Sequence, residues 1–106
     1  MRLQFTEEEV HKVPEEAGIF SLYQERDLVY IGRTAPRSNL KADLQHALTV
    51  AKADDMLASH FTFELTKTPK TRATEELRSY YEAWGSLPLY NQHHRLPQGE
   101  SAELRG

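Results

Sequence analysis

Apolar positions along this chain switch between two periods, and the switches mark its elements. Thr6-Glu7-Glu8-Glu9 has a hydroxyl followed three residues later by a carboxylate, a capping box. It predicts a short helix from about residue 7 to residue 12. Pro14 stops it, because the residue before a proline is pushed out of the α region. Phe5 and Val10 are placed to clip its ends to the body. Residues 18–23 are rich in β-formers, residues 24–27 are polar, and residues 28–32 form a second β run, which together read as a hairpin. Residues 34–38 make a loop. Asn39 or Ser38 then caps a helix in which Leu40, Leu44, Ala47, Leu48 and Ala51 recur at helical spacing. It ends near Ala53. Residues 60–66 alternate apolar and polar, as a half-buried strand does. Pro69 opens another helix at its favoured first turn, and Gly85 closes it. Ala73, Leu77, Tyr80, Tyr81 and Trp84 give that helix an apolar face, read here as core. Residues 87–91 predict an extended closing segment.

The order is helix, strand, strand, helix, strand, helix, extended segment. It predicts an α/β fold of the α+β kind: a small, mainly antiparallel three-stranded sheet flanked by helices. One domain is expected over residues 1–91, with its core in residues 14–91. Residues 92–106 turn polar and read as a tail with little order of its own.

Composition narrows the function. The 106 residues allow one domain. With no cysteine, disulfides and thiolate metal sites are excluded, so any metal needs oxygen or histidine ligands. No apolar stretch approaches a membrane span and residues 1–10 lack the core of a signal peptide, so a cytoplasmic protein without membrane contact is expected. The formal charge is −3. Nucleic-acid binders usually present a basic face, so this balance weighs against tight DNA binding while leaving room for a local basic patch.

The hairpin carries a more specific signal. Gly18-Ile19-Phe20 and Tyr30-Ile31-Gly32 resemble the two signature triplets of the GIY-YIG nuclease superfamily, with Phe20 and Tyr30 ten residues apart. Thr34 follows at the expected spacing. Residues 39–44 are similar to the start of that family's helix, residues 61–66 to its third strand, and Pro88 with Asn91 to its closing motif. The likeness runs in consistent order from Pro14 to Asn91.

The resemblance implies metal-dependent phosphodiester hydrolysis in nucleic acid, DNA or RNA. In that chemistry a tyrosine prepares the nucleophile. A glutamate holds one divalent cation, typically Mg2+, and an arginine meets the phosphate. Positive charge is needed where negative charge develops, and a metal with an arginine supplies it. Carried onto this chain, Tyr30 takes the tyrosine position. Glu76 takes the metal position when counted forward from Phe61; counting back from Asn91 needs about three extra residues, and Glu75 is the alternative. Two positions depart from the pattern. Phe20 stands where the family has tyrosine and cannot exchange a proton. Asp43 stands where it has arginine, and a carboxylate repels the phosphate an arginine attracts. Arg33, Arg37 and Lys41 are the nearby cations able to replace it, Arg33 as catalyst and the others as substrate contacts, although each also reads as an ordinary surface cation.

Other polar residues are weaker candidates. Asp43 and His46 are spaced to face each other as an acid-base or metal pair, against the plainer reading of a surface pair. His93-His94, His11 and His60 are assigned no function. Tyr80, Tyr81 and Trp84 have the chemistry to stack bases, but helical spacing beside Leu77 favours core. Two functions follow: a nuclease using Tyr30, Arg33 and Glu76, or a non-catalytic domain binding a protein partner or nucleic acid.

Overall fold

The structure, a computed structural model, describes residues 2–93. Its elements are β1 (Leu3–Gln4), α1 (Glu7–His11), β2 (Gly18–Gln24), β3 (Asp27–Arg33), α2 (Leu40–Ala53), β4 (His60–Leu65), α3 (Pro69–Trp84) and α4 (Leu89–His93). The strands form one antiparallel sheet in the order β1-β4-β2-β3. The predicted sheet had three strands; the fourth is the two-residue β1, paired to Phe61 and His60. Two residues are too few to show a period of two. The predicted extended closing segment is also corrected. Pro88 opens a turn instead, with the Asn91 N–H donating to the Pro88 carbonyl at 3.0 Å, and α4 follows. Gln92 and His93 therefore belong to α4, and the rest of the expected tail, His94 included, lies outside the described residues.

Local chemistry accounts for the helix ends. Thr6 Oγ1 accepts from the Glu9 N–H at 3.3 Å and caps α1. Asn39, rather than Ser38, caps α2, its Oδ1 accepting from the Ala42 N–H at 2.9 Å. Pro69 sits in the first turn of α3, and Gly85, at φ 78°, ends it in the left-handed region that favours glycine.

Alternation along the strands divides the core between the two faces of the sheet. Phe20, Leu22, Tyr30 and Phe61 point to one face, where α1 and α2 cover them with Val10, Leu40, Leu44, Ala47 and Leu48. Ile19 and Ile31 point to the other, under Ala73 and Leu77 of α3. Leu77 is fully buried, and such a side chain contributes about 1.5–3 kcal/mol; truncating it would loosen α3 most directly. The aromatic stripe of α3 is not core throughout. Tyr80 is half-buried, but Tyr81 is 49% and Trp84 71% exposed. The apolar face that meets the sheet runs through residues 73, 77 and 80 at helical spacing. Tyr81 lies off that line, and Trp84 is in the last turn, past the sheet's cover.

Candidate functional site

The paired triplets lie side by side on β2 and β3, with Phe20 opposite Gly32 and Leu22 opposite Tyr30. Both glycines have a packing reason. A Cβ on Gly32 would stand 2.6 Å from the Tyr30 ring and 2.7 Å from the Phe20 ring. One on Gly18 would meet the Glu64 carbonyl oxygen at 2.3 Å. The Phe20 and Tyr30 rings, 6.1 Å apart and tilted by 39°, fill the space that Gly32 leaves. Thr34 then ties the triplets together. Its N–H donates to the Gly18 carbonyl at 3.0 Å, and its Oγ1 accepts from the Gly18 N–H at 3.2 Å.

Asn91 joins this unit from α4. Its Oδ1 accepts from the Ile31 N–H at 2.9 Å and its Nδ2 donates to the Ile31 carbonyl at 3.0 Å. One side-chain amide thus satisfies both backbone groups of the central residue of the second triplet. The neighbouring Tyr90 accepts the Leu57 N–H on its hydroxyl at 2.9 Å, anchoring α4 to the loop after α2.

Asp43 is buried, and its carboxylate is occupied. Oδ2 accepts from the Ala35 N–H at 2.8 Å and Oδ1 from the Ser38 hydroxyl at 2.6 Å. The position sits in the first turn of α2, where negative charge also suits the helix dipole. The side chain therefore holds down the 34–39 loop. His46 is exposed while Asp43 is buried in this clamp, so position 43 forms neither the facing Asp43–His46 pair nor the plainer surface pair.

The remaining predicted residues are scattered. Arg33 pairs in register with Ile19, which puts it on the α3 face of the sheet and not beside Tyr30. Arg37 is exposed with φ 66°, an uncommon backbone state for a residue with a side chain. Lys41 is half-exposed at the start of α2. Tyr30 is 1% exposed in the cluster on the α2 side. Glu75 and Glu76 are exposed on α3, across the sheet from it. The expected grouping of Tyr30 with a glutamate is not formed, because α3 covers the face opposite to Tyr30.

Sequence reasoning missed the residue that engages both glutamates. Arg72 donates from Nη1 to Glu75 at 2.7 Å and from Nη2 to Glu76 at 3.1 Å. It also forms a two-pronged pair with Glu64 of β4, at 2.7 Å from Nε and 2.9 Å from Nη2. The hydrogen bond from Arg72 holds the Glu64 carboxyl below the usual glutamate range. The same bonds, from Glu64 first and then Glu75 and Glu76, push Arg72 upward. The i+3 and i+4 spacing of Glu75 and Glu76 was the signal within the helix.

A divalent cation, as the resemblance implies it, would bind Glu76 or Glu75. The residues present do not fit that ion. Both carboxylates are engaged by a guanidinium, and the tyrosine lies behind the sheet. Among the described residues, no group of three or more His, Cys, Asp or Glu is disposed to hold a metal. A notch of about 170 Å³ beside Glu64 and Glu76 is lined by Ser21, Tyr23 and Thr62. The groove between α1 and α2, about 560 Å³, contains none of the predicted site residues. No helix among the described residues is long and apolar enough to cross a membrane. Compared with known proteins, the chain matches no family model, no curated protein and no solved structure.

Proposed function

We propose that this chain is a divergent GIY-YIG-like domain that binds a protein partner and does not hydrolyse phosphodiesters. The observation that carries this reading is the state of Asp43. At the position where the resemblance expects a phosphate-binding arginine, a buried carboxylate holds two donors of its own loop. The aspartate at this position thus serves folding, and it puts a carboxylate where the expected chemistry needs a cation. Phe20 supports the same conclusion, since its ring packs on Tyr30 and offers no hydroxyl. A protein partner is favoured over nucleic acid by the net charge of −3 and by Tyr81 and Trp84 exposed on one helix, because aromatics are enriched at protein interfaces.

The test is a cleavage and binding assay with purified protein on single- and double-stranded DNA and on RNA, with Mg2+ or Mn2+. No cleavage and no mobility shift at low salt are expected. Cleavage that disappears in Glu76→Gln would overturn the non-catalytic reading. A shift that weakens steeply with salt would replace the protein partner by nucleic acid.

A further inference from the structure

We propose that Arg72 is this chain's built-in substitute for the divalent cation that the GIY-YIG resemblance implies, and that it keeps such an ion off Glu76. The inference rests on that resemblance for the identity of the displaced ion. Its physical content is the disagreement between a metal and the arrangement present.

Three carboxylates, from β4 and from two positions of α3, converge on one guanidinium. Arg72 sits four residues before Glu76 and three before Glu75 on the same helix, so the pairing is built into α3. The fork-on-fork pair with Glu64 adds a tertiary tie, since Glu64 lies on a strand. A guanidinium is a flat cation with donors spread around its edge, and it draws carboxylates to separate points on its perimeter. A metal ion needs oxygens drawn to one centre, at about 2.0–2.6 Å. The two occupants therefore require different arrangements of the same side chains. A divalent ion would have to displace a cation already satisfied by four hydrogen bonds. Without Arg72, the three carboxylates would lose their shared counter-charge, and an added cation would no longer have to displace a guanidinium to reach them.

The experiment is residue-specific line broadening by Mn2+ alone, read in amide NMR spectra of the full chain. In the wild type, the amides of Glu64, Glu75 and Glu76 are expected to broaden no more than those of other exposed carboxylates. In Arg72→Gln they should broaden selectively at Mn2+ concentrations at least tenfold lower, and adding Glu76→Gln should abolish that gain. Arg72→Met, which keeps the apolar stem, serves if the glutamine variant does not fold. Selective broadening of the wild type at the same Mn2+ concentration as the variant overturns the proposal. So does a folded Arg72 variant without selective broadening. Failure of the functional reading is separate: it is seen as cleavage by the wild type, whatever the Mn2+ spectra show.

Discussion

Substituting position 43 is the perturbation that most directly tests the clamp. Asp43 accepts one backbone and one hydroxyl donor, at 2.8 and 2.6 Å, on a side chain that is 8% exposed. Hydrogen bonds to a charged group contribute about 1.5–3 kcal/mol each. Ala35 and Ser38 are only half-buried, so water recovers part of that when the carboxylate is removed. A loss of roughly 2–3 kcal/mol follows for Asp43→Ala from the same range. In a domain of this size, that corresponds to a fall in Tm of about 10–20 °C. Asp43→Asn keeps one acceptor and should lose about half as much. Asp43→Arg sets a donor and a positive charge against two donors and should be the least stable of the three. Urea unfolding followed by far-UV circular dichroism gives the order, with an unchanged m-value confirming that stability alone has moved. An arginine variant as stable as the wild type would show that the loop is held by something else and would refute the clamp.

Two further outcomes are expected. Asn91→Ala removes both bonds to Ile31 and should cost about 1–3 kcal/mol, at about 0.5–1.5 per bond, with faster amide exchange at Ile31; unchanged exchange there would contradict the assigned role. The Glu64–Arg72 tie should depend on pH. Arg72 lowers the folded-state pKa of Glu64, so its contribution is present above the ordinary glutamate value of 4.5 and is lost as pH falls through the lower folded-state value. The stability gap between wild type and Arg72→Gln should therefore be open at neutral pH and close in acid, and a gap that does not change with pH would refute the tie.

Much of the fold is legible in the chain because its signals are local. The cap at Thr6, the cap at Asn39, the proline at the start of α3 and the left-handed Gly85 each act within one turn. The hairpin follows from two β runs and a short polar connection, whereas its register, with a bulge between Leu22 and Tyr23 and with Gln24 and Asp27 paired, does not. The strand β1 and helix α4 escape because they are two and five residues long, and Leu87-Pro88-Leu89-Tyr90 has the composition of an extended segment. The site was harder to read. The resemblance implies an arginine where Asp43 stands, yet the use of Asp43 depends on Ala35 and Ser38, which a turn brings back onto it. Glu75 and Glu76 were found, but Arg72 was not, because its link to Glu64 spans a helix and a strand. Which face of the sheet α3 covers separates Tyr30 from Glu76, and that choice is tertiary.

The Asn91 amide has a consequence for the outer edge of the sheet. β3 is the outer strand of the sheet, and unsatisfied backbone groups on an outer strand invite another chain to add itself there. By offering one acceptor and one donor at Ile31, Asn91 imitates one rung of a neighbouring strand from within the helix α4, which cannot extend the ladder. Cutting the chain before Asn91 would do more than remove part of α4. It would leave β3 as a template for edge-to-edge polymerisation.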